Sequence, residues 1–275
     1  MYIISYFLYE INSWVYDCLL DCLCVKQRFK ESGDRLKYIA SVSFGKDSLC
    51  MLLKLIEEEW PLDCVIFYDT GMEFEAIYKN VDKAKTMLAE RGIEFIILQN
   101  DMGFEFNMFS KRVQSTDGTV KYGQCWCGRP CRWGTSLKTD EINRFYKRLG
   151  KEMIVEYIGI AFDERERISR KKTNNRIKIY PLIEWGMTEA EALQYCYDHG
   201  WNWEECGRDL YDLLDRVSCY CCKNKNKKEL RNMWKYLPSY WEDLKYLQSK
   251  IAEPMKEYGS VFDLEKEFEA EENEK

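Results

Sequence analysis

Eight consecutive residues, Ser41-Val42-Ser43-Phe44-Gly45-Lys46-Asp47-Ser48, bring together the groups that a phosphate requires. Ser and Gly allow backbone N–H groups a close approach, Lys46 adds a full positive charge, and Ser48 is placed to cap a helix. Tyr38-Ile39-Ala40 precedes the octet, and an apolar-periodic stretch, Leu49 to Ile56, follows it. The octet is therefore expected where a strand turns into a helix, with unpaired N–H groups and a partial positive charge facing an anion. Its spacing is neither the GxxxxGK[ST] of a Walker loop nor the GxGxxG of a dinucleotide fold.

Four further segments carry chemistry. Asp69-Thr70-Gly71 follows a second apolar run and is itself a turn and a helix start. Cys125-Trp126-Cys127-Gly128-Arg129-Pro130-Cys131-Arg132 leads to Lys138 and sets basic groups suited to phosphate or sulfate oxygens beside clustered cysteines. Gly159 to Arg170 follows a strand and contains Arg165, Ser169 and Arg170. Ser218-Cys219-Tyr220-Cys221-Cys222-Lys223 supplies a second cysteine cluster. Cys127 and Cys131 stand in C-x3-C spacing and Cys219 and Cys222 in C-x2-C spacing, so two pairs could give four thiolates to one centre. A [4Fe–4S] cluster, a Zn2+ ion and free redox thiols all fit these donors. Cys125 and Cys221 are then spare, and Cys50, Cys64 and Cys196 read as core.

Composition narrows the field. The chain has 275 residues, a net charge of −6, thirteen cysteines and a single histidine, His199. The charge argues against broad coating of nucleic acid, and one histidine makes a His base or His-built metal site a poor expectation. His199-Gly200 reads as a helix C-terminus. Clustered cysteines without a signal-peptide pattern suggest a reducing, cytoplasmic compartment, and no membrane span is expected. Lys223-Asn224-Lys225-Asn226-Lys227-Lys228 is a local basic run that could dock nucleic acid or a protein partner. A homo-oligomer stays open.

Strands are expected at Tyr38–Val42, Cys64–Tyr68, Glu94–Leu98, Ile154–Ile160 and Arg176–Tyr180, with helices at Ser48–Trp60, Glu73–Arg91 and Lys138–Leu149 between them. Apolar, β-branched strands alternating with amphipathic helices imply an α/β fold, a Rossmann-like parallel sheet with helices on both faces. Ligands of such sheets sit beyond the C-terminal strand ends. After Pro181 the chain reads as helical: a capping box opens at Thr188, and helices are expected at Lys227–Leu237 and Tyr240–Tyr258, with an acidic tail fraying from Leu264. The expected divisions are an N-terminal helical extension (1–35, including Cys18, Cys22 and Cys24), a nucleotide-binding core (36–185) and a helical region with the second cysteine cluster (186–275).

The octet resembles the SGGKDS-type PP-loop of ATP pyrophosphatases and of the PAPS reductase family. Asp69-Thr70-Gly71, the cysteine segment ending in Lys138, the Gly159–Arg170 region and Tyr180-Pro181-Leu182-Ile183-Glu184-Trp185 match further elements of that family in order. The resemblance implies an adenine nucleotide α-hydrolase-like fold and a nucleotide held by Ser41, Ser43, Phe44, Gly45, Lys46, Asp47, Ser48, Asp69, Thr70, Gly71, Arg132, Lys138, Gly159, Arg165 and Arg170. Its iron–sulfur branch implies a [4Fe–4S] cluster on Cys127, Cys131, Cys219 and Cys222.

Three activities compete. In the first, ATP with Mg2+ is split at the α-phosphate and the adenylated substrate accepts sulfur, with Lys46, Asp47 and Ser48 as the catalytic group. The second is reduction of APS or PAPS. Here Glu205-Cys206-Gly207 lies before the C-x2-C pair, on the other side from the reductases' nucleophile motif, and no cysteine follows Cys222. The third is a nucleotide-binding subunit without turnover. Keeping Lys46-Asp47-Ser48 favours the first.

Overall fold

A computed structural model describes residues 36–127, 131–150, 152–168 and 176–274. The expected N-terminal helix, with Cys18, Cys22 and Cys24, lies outside the described residues, as does Arg170. The chain divides into two compact units: 36–67, 87–96 and 149–200 form the first, and 68–86, 97–148 and 201–274 the second.

The first unit is built on a five-stranded parallel sheet of order β3-β2-β1-β6-β7. Its strands are β1 (Leu36–Ser41), β2 (Cys64–Tyr68), β3 (Glu94–Leu98), β6 (Met153–Ile158) and β7 (Arg176–Ile179). Every residue of β2 is buried, as are Ile39 and Ala40 of β1, which is why these strands read as unbroken apolar runs. The register sets Ser41 opposite Ile66 on one side and Ile158 on the other. The strand order reverses between β1 and β6, and the crevice at such a switch point is where α/β sheets hold ligands. α1 (Lys46–Glu57) follows β1, and α4 (Glu189–Asp198) packs against it. The predicted capping box of α4 is present: Thr188 Oγ1 accepts from the Glu191 N–H, and the Glu191 carboxylate accepts from the Thr188 N–H. α4 ends at His199-Gly200, where Gly200 takes φ +74°.

The second unit holds α2 (Glu75–Ala89, all but its last turn), the hairpin β4 (Arg112–Gln114) and β5 (Val120–Tyr122), and α3 (Leu137–Arg148). It also holds the two-residue pair β8 (Glu204–Glu205) and β9 (Arg208–Asp209), and the helices α5 (Lys227–Tyr236), α6 (Pro238–Ser249) and α7 (Val261–Asn273). Two expectations are corrected here. The helix expected over Tyr240–Tyr258 stops at Ser249, because buried Gln248 takes over the backbone beyond it. Its amide donates to the carbonyls of Ile251 and Glu253, and its Oε1 accepts from the Met255 N–H. The tail does not fray. Ser260 caps α7 in a capping box, and Val261, Leu264 and Phe268 bury one face. Its acidic face pairs with α5 through Lys227–Glu267, Arg231–Glu271 and Lys235–Glu272. Trp201, Trp203 and Trp241 are core, the first two in irregular chain rather than helix, and Trp234 is half-buried.

Candidate nucleotide and thiolate sites

In the first unit the octet turns the end of β1 into α1. The Val42 N–H continues the ladder to the Ile66 carbonyl at 2.9 Å. Phe44 then takes φ +59°, a left-handed conformation that costs a bulky residue about 1–2 kcal/mol. The ring offsets this by full burial, edge-on to Phe67 and Phe95 at centroid distances of 5.4 and 6.0 Å. Gly45 is the N-cap, and α1 starts at Lys46 rather than Ser48. Ser48 is therefore not the cap. It lies in the first turn and folds back: its Oγ accepts from the Ser43 N–H at 3.0 Å and donates to the Gly45 carbonyl at 3.2 Å. Those bonds shape the loop that leads into the N-terminus of α1.

Gly159, just after β6, lies flush against that turn. A Cβ there would meet Ser48 Cα at 2.7 Å and the Ser48 nitrogen at 2.9 Å. Only glycine lets the loop after β6 approach the octet this closely, which gives the expected Gly159 a packing reason.

The charges of this site were only half visible from sequence. Lys46 is 7% exposed, with Nζ 2.8 Å from Glu189 Oε2 at the start of α4 and 3.9 Å from Asp47 Oδ1. Asp47, Glu164 and Glu189 bring oxygens within 4.8 Å of one another, a spacing at which one divalent cation could take an oxygen from each. Glu164 and Glu189 were not among the expected site residues. Arg165 was, but it lies exposed over the Phe162 ring and donates to the Phe162 carbonyl. Arg167 pairs with Glu164 instead and is the arginine whose charge reaches Asp47.

Burial raises the Asp47 carboxyl to about 6. Lys46 pulls against the shift, and Glu189 and Glu164 add to it. The folded value lies above the ordinary 3.8, so this group's stabilising contribution is complete below pH 3.8 and is lost as the pH rises through 6. At neutral pH the buried carboxylate thus costs about 3 kcal/mol. In nucleotide-free protein, Asp47→Asn is expected to raise Tm at pH 7.5 by roughly 5–10 °C. That gain should vanish near pH 4. A difference that stays constant across the range would refute the assignment.

In the second unit, Asp69-Thr70-Gly71 forms a closed turn. Asp69 accepts from the Gly71 N–H at 2.8 Å, Tyr78 Oη at 2.8 Å and Gln99 Nε2 at 2.7 Å. Thr70 Oγ1 donates to Glu73 Oε1 at 2.7 Å and lies 3.5 Å from Cys219 Sγ, whose thiol donates to the same Glu73 oxygen at 3.5 Å. The Tyr220 N–H bonds the Met72 carbonyl at 3.0 Å. This turn therefore braces the Cys219–Cys222 loop, a link that nothing in the local sequence indicated. Asp69, Thr70 and Gly71 also line a cavity of about 160 Å3 together with Asn100, Phe104 and Trp133. That volume suits a ring-sized group rather than a whole nucleotide.

Gly123 delivers the first cysteine cluster. At φ +76°, a Cβ on it would lie 2.3 Å from the Met108 carbonyl oxygen, so the chain crosses residues 106–110 at backbone contact. Cys127 is buried and Cys131 half-buried at the start of a π-helical turn, Arg132–Ser136. The Cys131 thiol donates to Cys127 and holds it below the usual thiol range, opposed by burial and aided by the N–H groups of Arg132 and Trp133. The Gly134 N–H donates to Cys131 Sγ at 3.2 Å. N–H groups aimed at sulfur are what a thiolate pair requires. In the other pair the Cys222 N–H bonds the Cys219 carbonyl at 3.0 Å, and burial pushes the Cys219 thiol well up. All four cysteines are free thiols in one unit, and this donor set fits a thiolate-ligated centre. No three cysteine sulfurs among the described residues lie within 4.8 Å of one another. Thiolate donors suit Zn2+ and an iron–sulfur cluster alike.

Lys138 stands in the first turn of α3, where its charge reaches Glu73, while Arg132 is exposed. The basic run is not one exposed patch: Lys225 is buried, Lys227 pairs with Glu267, and Lys228 is exposed. Among the described residues no helix is long and apolar enough to cross a membrane.

The octet between strand and helix, at the switch point of a Rossmann-like parallel sheet, marks a PP-loop α/β protein. The chain belongs to the phosphoadenosine phosphosulfate reductase domain family, whose sequence pattern matches residues 37–225. It is 23% identical over 238 residues to the uncharacterised protein MJ0066 of Methanocaldococcus jannaschii, covering 82% of this chain and 44% of that one. The chain thus spans less than half the length of that relative. Among solved structures it is similar to the U34-tRNA thiolase NcsA of Methanococcus maripaludis, determined with its [4Fe–4S] cluster. Identity there is 18%, coverage is 86% of this chain and 72% of that chain, and the TM-score is 0.40.

Proposed function

We propose that the protein binds ATP at the octet and cleaves it at the α-phosphate to activate a substrate for sulfur transfer. A substrate oxygen attacks the α-phosphorus, the bond to the bridging oxygen breaks, and pyrophosphate leaves. Such chemistry requires positioning and charge neutralisation more than a protein base. The N–H groups opening α1 cradle phosphate oxygens, with Ser41, Ser43 and Gly45 shaping the loop. Lys46 offsets the charge that develops on the departing pyrophosphate. Asp47, Glu164 and Glu189 would hold Mg2+, which neutralises phosphate oxygens.

The observation that carries this reading is the contact of Lys46 with Glu189, inside a trio of carboxylates at the start of α1. A cation-binding acidic group beside a lysine suits pyrophosphate departure and has no evident task in reducing a sulfonucleotide. Cys127, Cys131, Cys219 and Cys222 would hold a [4Fe–4S] cluster, with Zn2+ as the alternative for the same thiolate donors. When bound, such a cluster supplies redox and sulfur-handling chemistry at iron.

A second reading, reduction of APS or PAPS, is favoured by the family's description and by Cys206, exposed on the β8–β9 turn at φ +51°. One set of measurements on anaerobically purified protein separates the two: iron and zinc content, ATP binding by calorimetry, then pyrophosphate release from ATP against sulfite release from APS and PAPS. Pyrophosphate is the expected product. Sulfite without pyrophosphate would reverse the order of the readings, and tight ATP binding without turnover would leave a nucleotide-binding subunit.

A further inference from the structure

One ammonium group of the second unit is buried without a hydrogen bond. Lys225 is 3% exposed, and its Nζ has no hydrogen-bond partner among the described residues. It is held 5.2 Å over the centre of the Phe74 ring. Its backbone N–H bonds the Cys222 carbonyl at 3.1 Å, and the groups that favour its charge are Glu229, Cys222, Cys219 and Cys221. Glu229 is already engaged: Oε1 accepts from the Asp215 N–H at 3.1 Å and Oε2 from the Asn226 N–H at 2.7 Å. A second lysine, Lys256, is 8% exposed and turns its Nζ onto the carbonyls of Lys223 and Lys225. Cys222 again heads the groups that favour its charge.

A buried cation is costly unless a negative charge stands near it. Neutral thiols do not supply one. Four thiolates around a divalent core, whether zinc or an oxidised cubane, leave two net negative charges, which two lysines balance. We infer that Lys225, backed by Lys256, is the counter-charge of a thiolate-ligated centre on Cys127, Cys131, Cys219 and Cys222. It holds that centre in place and, for a cluster, sets how readily it accepts an electron. The inference rests on the reading of the four cysteines as one centre. It also gives the middle of the basic run a task inside the protein rather than on its surface.

The test compares wild type, Lys225→Met and Lys225→Arg, each purified anaerobically at full length. Methionine keeps an unbranched stem and deletes the charge. The metal-free Lys225→Met protein, prepared with a chelator, is expected to melt at a higher temperature than metal-free wild type, because an unbalanced buried charge is gone. The loaded variant should lose its metal to the chelator roughly 10- to 100-fold faster than wild type. A cluster's midpoint potential, followed by electron paramagnetic resonance, should move to more negative values, since a nearby cation favours the reduced, more anionic state. Lys225→Arg should hold the metal as wild type does. A loaded Lys225→Met protein with unchanged metal loss and midpoint overturns the inference. So does a fall in the metal-free melting temperature, which would make Lys225 a packing residue. Wild-type protein carrying neither iron nor zinc overturns the centre itself, and the inference with it.

Discussion

On the proposed reading, Lys46→Ala is expected to lower pyrophosphate release from ATP by about 10³-fold. The size of the effect follows from position. The ammonium stands at the first residue of α1, nearly buried, so little water screens it from a phosphate bound at the helix start. Its removal also takes away the cation nearest Asp47 and Glu189, while Glu164 keeps Arg167. Part of the loss could therefore be structural, and two further variants separate the effects. Lys46→Arg keeps the charge but not the compact ammonium geometry, and should recover stability more fully than turnover. Glu189→Gln removes the charge of the 2.8 Å ion pair and one proposed Mg2+ carboxylate yet keeps Lys46 to meet phosphate, so its turnover should fall by less than that of Lys46→Ala. Initial rates at saturating ATP, read beside melting curves, decide the matter. A Lys46→Ala protein that retains turnover within threefold of wild type would remove Lys46 from the reaction.

If the four cysteines hold the proposed centre, Cys219→Ser and Cys127→Ser are each expected to reduce bound metal at least tenfold. Serine matches cysteine in shape, but its hydroxyl stays protonated at neutral pH and is a hard donor where a soft thiolate is required. For Cys219 the loss extends further. Its thiol bonds Glu73, which also accepts from Thr70, so the turn that carries Asp69 is tied to the cysteine loop. Amide hydrogen exchange should show lost protection around residues 69–73 in the Cys219 variant and not in the Cys127 variant. Cys206→Ser, at an exposed turn, is the control expected to keep its full metal content. Equal metal content in all three would refute the ligand set.

The parallel sheet was legible because β2 and β3 are short apolar runs bounded by polar turns, and they fall at Cys64–Tyr68 and Glu94–Leu98 as the pattern indicates. The capping box at Thr188 was legible for a similar reason: both partners lie within four residues. α7 was misread because its acidity dominates its composition. Its buried positions, Val261, Leu264 and Phe268, acquire meaning only with α5 beside them, and its glutamates become ion pairs only with Lys227, Arg231 and Lys235 opposite. The start of α1 was misplaced by two residues because Ser48 has the chemistry of a cap. Whether a serine caps or folds back depends on backbone geometry, here set by the left-handed turn at Phe44.

By itself, the sequence determined the strand–loop–helix corner at the octet, the order of strands and helices, and which cysteines stand in ligand spacing. Each of these depends on neighbours within one element, where periodicity and turn chemistry act directly. Only the tertiary structure decided which carboxylates meet Lys46, since Glu189 lies 143 positions away. In the same way it placed Thr70 beside Cys219 across 149 positions. It also decided that one lysine of an apparently solvated basic run is buried over the Phe74 ring. Those outcomes depend on distance and dielectric between residues remote along the chain, and neither quantity exists until the chain has folded.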